Sequence, residues 1–111
     1  MRWQALTSTT QLDIIAERSE QVPCLIFKHS TRCNISSIAK FRLEADWDFP
    51  ETAIDAYFLD LIAHRDVSAA VAEHFSVYHE SPQILVIQGG GCVLDASHLD
   101  ISVEEIKEVI G

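Results

Sequence analysis

Cys33-Asn34-Ile35-Ser36 sets a thiol and a hydroxyl one helical turn apart. A thiol at the start of a helix faces backbone N–H groups without intrahelical acceptors and the positive end of the helix dipole. Both favour the thiolate, which is the nucleophile of disulfide exchange. A dithiol oxidoreductase would carry a second cysteine where Ser36 stands. A serine can donate a hydrogen bond to the sulfur but cannot close a disulfide. The spacing therefore predicts monothiol chemistry, with an intermediate that needs an outside thiol for release. Lys28 and Arg32 would favour the thiolate further if their side chains point inward, and His29 is close enough in sequence to reach the same place. Against this stands a plainer reading, in which Cys33 and Ser36 are ordinary small residues at a helix start.

The other chemical residues form no comparable set. Cys24 and Cys92 lie in apolar runs and read as packing residues. His74 falls on the apolar face of a helical stretch and reads as a structural contact. His79, Glu80 and His98 could surround a site at strand ends, but their sequence separation does not group them. No metal-ligand spacing emerges, since Cys33 with His29 is a pair and not a set of four. Gly89-Gly90-Gly91 sits between two apolar runs, which suits a hairpin turn and not a phosphate loop.

Composition bounds what these residues can serve. The 111 residues amount to one domain, 48% hydrophobic and 23% charged, large enough to fold without disulfide or metal staples. Lys and Arg number 8 against 17 Asp and Glu, a net charge of −9, which argues against a nucleic-acid partner. No apolar run approaches the roughly 20 residues of a membrane span. Met1-Arg2-Trp3-Gln4 resembles no secretory leader, so a cytosolic location is expected, where the 3 cysteines stay reduced.

The elements that must position Cys33 follow from periodicity. A first helix is expected from Ser8, with Gln11 reaching back as in a capping box and Leu12, Ile15 and Ala16 as its apolar stripe. Pro23 precedes Cys24-Leu25-Ile26-Phe27, a run suited to a buried strand. Ile35, Ile38, Ala39, Leu43 and Trp47 recur at helical spacing behind Cys33. Ile54 to Leu59 reads as a second strand, Asp66 to Phe75 as a third helix, and Ile84 to Ile87 as a third strand. After the glycine turn, Cys92-Val93-Leu94 returns as a fourth strand. A last helix follows Ser102, with Glu104 and Glu105 in its first turn.

The order α-β-α-β-α-β-β-α predicts an α/β, thioredoxin-like fold. It comprises a central four-stranded mixed sheet flanked by helices, with an extra N-terminal helix. In such domains a cis proline before the third strand lies beside the nucleophile, and the residue before it offers its backbone to an extended substrate. Ser81-Pro82 occupies that place.

With these residues in view, Phe27-Lys28-His29-Ser30-Thr31-Arg32-Cys33-Asn34-Ile35-Ser36 resembles the F-K-H-S-x-x-C-x-I-S signature of the YtxJ family of bacillithiol-system redox proteins, the monothiol bacilliredoxins. His64-Arg65-Asp66-Val67-Ser68 to His79-Glu80-Ser81-Pro82-Gln83 resembles a second block, and Ser97-His98 a third. The likeness runs from about Trp3 to Ile110. It implies that Cys33 takes a bacillithiol group from a thiolated client protein and that a second bacillithiol releases it. Bacillithiol would be a co-substrate, with no tightly bound cofactor. Thr31, Arg32, Asn34, Ser36, Ser81 and Pro82 would contact substrate, with Lys28 and His29 behind them. Family members commonly carry proline where this chain has Asn34, a difference that bears on the thiol's acidity and choice of partner. Two rival readings are a glutaredoxin-like iron–sulfur cluster carrier and a peptide-binding module without catalysis.

Overall fold

Cys24–His29 forms a strand, β2, in which every residue is buried, as a strand covered on both faces must be. The computed structural model describes residues 1–111. Its sheet has five strands in the order β1-β3-β2-β4-β5, where β1 is Trp3–Ala5, β3 Asp55–Asp60, β4 Gln83–Gln88 and β5 Gly91–Ser97. The strands β1, β2 and β3 run parallel, and β4 and β5 are antiparallel additions. Helices α1 (Gln11–Arg18) and α3 (Arg65–His74) lie over one face. Helices α2 (Asn34–Asp46) and α4 (Val103–Ile110) lie over the other.

Alternation along the strands divides the core. Cys24, Ile26, Leu85 and Ile87 pack with Leu12, Ile15, Val67 and Val71 under α1 and α3. Leu25, Phe27, Ile84 and Val86 pack with Ala39, Leu43, Val103 and Ile106 under α2 and α4. The same alternation sends Lys28 toward α3 and His29 toward α2, which decides much of the site.

The thioredoxin-like class holds, with three departures from the sequence expectations. The sheet gains a fifth strand, because Trp3–Ala5 pairs with Ala56 to Phe58. Three residues at an edge show no periodicity, so only their tertiary partners reveal them. Trp3 packs on Phe27 and Phe58, and its indole N–H donates to Glu44 at 2.7 Å. The first helix starts at Gln11, after a turn that begins at Ser8. Gln11 still reaches back, its side-chain oxygen accepting from the amides of Thr7 and Ser8, but the Ser8 hydroxyl accepts from Thr10 instead of capping the helix.

The third departure concerns α2. Its inward face is Ser36, Ala39 and Leu43, whereas Ile35 and Ile38 are 40% and 50% exposed. The apolar stripe was expected to set the helix's rotation; a buried polar contact at Ser36 sets it instead. At the opposite edge, Gly89 and Gly90 have φ of +65° and +86°, the conformation a two-residue hairpin turn demands. Their amides donate to the carbonyl and hydroxyl of Ser19, which ties the hairpin to the end of α1.

Phe27 joins the inner sheet surface to the aromatic cluster around β1. Phe27→Ala is expected to lower the unfolding free energy by about 3–5 kcal/mol, measured by urea denaturation.

Candidate functional site

The chain leaves β2 at His29 and reaches α2 through a tight loop wound on Ser30. The Ser30 amide donates to Ser36 Oγ at 3.0 Å, and the Ser30 carbonyl accepts from the Cys33 amide at 3.2 Å. Ser36 Oγ lies 2.7 Å from His29 Nδ1. Cys33 is the N-cap of α2, in extended conformation, and its carbonyl accepts from the amides of Ser36 and Ser37. The amides of Asn34 and Ile35 find no backbone acceptor, and the Cys33 side chain makes no capping hydrogen bond to them, so the first turn of α2 keeps free N–H groups at the end where Cys33 stands. Cys33 itself is partly exposed.

Ser36 does not take the place expected of it. It is fully buried, its hydroxyl shared between Ser30 and His29, and no bond joins it to the sulfur. It fastens the loop that presents Cys33 and offers no surface to a substrate. His29 is buried beside it, stacked on Phe27 and tilted against Phe58. Burial lowers the imidazole below its ordinary pKa, the Lys40 charge lowers it further, and Asp60 opposes both. Because Ser36 already accepts from Ser30, its own proton is free to donate to Nδ1 of a neutral His29. On that assignment the ring keeps a proton on Nε2.

Lys28 is also corrected. Its side chain lies on the α3 face of the sheet, fully buried, away from α2. The ammonium donates to the Ser68 carbonyl at 3.1 Å and sits 3.2 Å from His79 Nδ1, to which the Ser68 hydroxyl also comes within 3.3 Å. Across the ladder Lys28 pairs with Gln83, whose side chain points the same way. Gln83 donates to the Tyr78 carbonyl at 2.8 Å and accepts from the Glu80 amide at 3.3 Å. Two neighbouring buried polar side chains thus hold the segment Tyr78 to Glu80, which delivers Ser81 and Pro82.

The Ser81-Pro82 peptide bond is cis, and Pro82 is buried with its carbonyl accepting from the His98 amide at 3.0 Å. Pro82 stands one residue beyond the Lys28–Gln83 pair, at the strand end where β2 hands over to the Cys33 loop. The backbone groups of Ser81 enter no backbone hydrogen bond, and its buried hydroxyl has no partner. Thr31, Arg32 and Asn34 are exposed around Cys33. The structure therefore brings Thr31, Arg32, Cys33, Asn34, Ser81 and Pro82 to one end of the sheet, with His29 and Ser36 beneath and Lys28 behind.

The remaining residues sort by burial. Cys24 is fully buried, and burial pushes its thiol up to about 12. Cys92 is only half-buried; its sulfur donates to the Leu94 carbonyl, and burial raises its pKa as well. His74 pairs with Asp13 at the surface. No three His, Cys, Asp or Glu residues come together as a metal site. Gln83 and Ser68 stand in the second resembling block with no role assigned there, and the structure gives them one. Gln83 left a signal: a polar residue opening an otherwise apolar strand has hydrogen bonds to make.

Two predictions follow from these contacts. Ser36→Ala leaves the buried Ser30 amide without an acceptor and should cost about 1–3 kcal/mol of stability in urea titrations. For Lys28, burial lowers the ammonium to about 8 from 10.5, so the unfolded chain keeps this proton to higher pH than the folded one. The group's contribution to stability therefore rises as pH climbs from about 8 toward 10.5. The difference in unfolding free energy between wild type and Lys28→Met should grow by roughly 2–3 kcal/mol across that window, read by denaturation at stepped pH.

Comparison with known proteins agrees with this geometry. The family model described as monothiol bacilliredoxin BrxC matches residues 4–106. A solved structure described as a candidate oxidoreductase with a thioredoxin fold is 28% identical, with a TM-score of 0.80, covering 98% of this chain and 94% of its own. Thioredoxin from Trypanosoma brucei brucei superposes with a TM-score of 0.77 at 11% identity, over 98% of this chain and 91% of its own. Malassezia sympodialis thioredoxin gives 0.74 at 14%, over 98% and 88%. These two share the fold. The chain belongs to the monothiol bacilliredoxin family and is a thiol redox protein of thioredoxin fold.

Proposed function

We propose that the protein removes bacillithiol, or a closely similar low-molecular-weight thiol, from mixed disulfides on client proteins in the cytoplasm. The Cys33 thiolate attacks the small-thiol sulfur of the client's mixed disulfide. The S–S bond to the client breaks, the client leaves as thiolate, and Cys33 holds the small thiol in a new disulfide. A second small-thiol thiolate then attacks the sulfur of the bound small thiol, releasing a symmetric disulfide and restoring Cys33. Each step makes one S–S bond and breaks one. The oxidising equivalent passes from the client to the pair of small thiols.

The observation that supports this most directly is that Cys33 is the one cysteine at the Pro82 end of the sheet, with no second sulfur beside it. Cys33 is partly exposed at the mouth of α2, and the position a resolving thiol would occupy holds Ser36, already committed to His29 and Ser30. Cys24 lies in the core and the Cys92 sulfur is turned to its own strand. Ser81, with backbone groups outside the ladder and next to the cis bond, suits a short stretch of extended client chain. Thr31, Arg32 and Asn34 border the same approach.

Intact-mass analysis after incubation with a bacillithiolated client is expected to show one bacillithiol on the protein. That adduct should vanish in Cys33→Ser and persist in Cys24→Ser and Cys92→Ser. Equal labelling of all three thiols, or a full adduct on Cys33→Ser, would refute the assignment.

A further inference from the structure

Between α2 and the ends of β2 and β3 lies an open cleft of about 430 Å³ that the exchange chemistry does not itself require. It adjoins the thiol from both sides along the chain. Thr31 and Ser37, two residues before Cys33 and four after it, both line it. Phe58 and His29 line it with the charged side chains of Lys40, Glu44 and Asp60. Such a volume admits a small molecule but not a folded domain.

The polar groups there keep capacity that the fold does not use. Lys40 makes a single hydrogen bond, 3.0 Å to Glu44, and its ammonium stands 5.7 Å from the centre of the Phe58 ring. Asp60 uses one oxygen, Oδ1, to accept from the amides of Ile62 and Ala63, and its other oxygen has no partner. His29 is fixed through Nδ1 alone, and the hydroxyls of Thr31 and Ser37 make no bond. A cation, carboxylates, hydroxyls and an aromatic face thus converge on a cleft whose lining residues Thr31 and Ser37 flank Cys33 in the chain. A purely anionic ligand would meet Asp60 and Glu44, and a purely apolar one would cover the second Asp60 oxygen without giving it a partner. The complement is a small molecule carrying an ammonium group, a carboxylate and a hydroxylated ring.

We propose that this cleft is the binding subsite for the non-sulfur part of the low-molecular-weight thiol, with Lys40 receiving its carboxylate, Asp60 its ammonium and Phe58 the face of its ring. The assignment rests on the exchange function above and deepens it. It makes the small thiol a recognised partner, held by α2 and the ends of the parallel strands. The client is left to the opposite side of Cys33, at Ser81 and Pro82.

The test compares release of the Cys33 mixed disulfide by bacillithiol with release by 2-mercaptoethanol, which has none of the appended groups. Lys40→Ala and Asp60→Asn are each expected to raise the bacillithiol concentration for half-maximal rate about tenfold, a loss typical of one charge-assisted hydrogen bond. Their rates with 2-mercaptoethanol should match wild type. Equal slowing with both thiols, or no change with either, would overturn the subsite. A direct measurement keeps this separate from the exchange reading: S-methyl bacillithiol is titrated into Cys33→Ser protein while amide chemical shifts are followed. Saturable shifts at Lys40, Phe58 and Asp60 support the cleft even if wild-type protein performs no exchange. Their absence removes the subsite even if exchange proceeds.

Discussion

One hydroxyl holds the site together. Ser36 Oγ, fully buried, joins the Ser30 amide at the end of β2 to the imidazole of His29. Without that pair of bonds the loop would leave a buried donor unsatisfied, and the start of α2 would be held to the sheet only by the Cys33–Ser30 backbone bond and the packing of Ala39 and Leu43. Because α2 begins where it does, Cys33 is the N-cap, at the end of α2 where the amides of Asn34 and Ile35 have no backbone acceptor. The cost is visible on the outside of the helix, where Ile35, Ile38 and Phe41 face solvent. An interior hydrogen-bonded cluster has outweighed the burial of two isoleucines.

This explains why the fold was more legible in the sequence than the details of its site. Continuous apolar runs mark β2 and β4 because both faces of those strands are covered, and the glycine pair marks their hairpin neighbour by its positive φ. Periodicity reports burial and cannot report which buried contact is polar, so the apolar spacing marks α2 but not the face, Ser36, Ala39 and Leu43, that it turns inward. Likewise, one step along a strand reverses the face on which a side chain lies. Lys28, adjacent in sequence to the Cys33 loop, belongs to the α3 side, where it meets His79. The strand at Trp3 was invisible because an edge element of three residues owes its existence to β3 and Glu44, far along the chain.

The two sides of the active end are built from different materials. On the α2 side, aromatic rings and mixed charges surround an open cleft. On the α3 side, Lys28 and Gln83 are buried polar groups: Gln83 bonds the backbone of Tyr78 and Glu80, and Lys28 bridges the Ser68 carbonyl of α3 to His79. Burying an ammonium without a carboxylate opposite it is unfavourable, as its lowered pKa records. The chain bears that cost where it steadies the backbone of the loop that ends in Ser81. Rigid support thus converges on the strip of main chain beside the cis bond, and the more adaptable wall is left on the other flank.

The solitary position of Cys33 has a consequence for damage by peroxide. Oxidation of an accessible thiolate gives a sulfenic acid, which most redox proteins rescue by condensing it with a neighbouring cysteine. Here Cys24 is sealed in the core, Cys92 lies beside Ile87 at the far end of β4, and Ser36 cannot condense, so no neighbouring cysteine is placed to rescue it. The oxidised sulfur must be capped from solution before a second peroxide carries it to the irreversible sulfinic state. The lifetime of the protein under oxidants is then governed by the concentration of free small thiol around it.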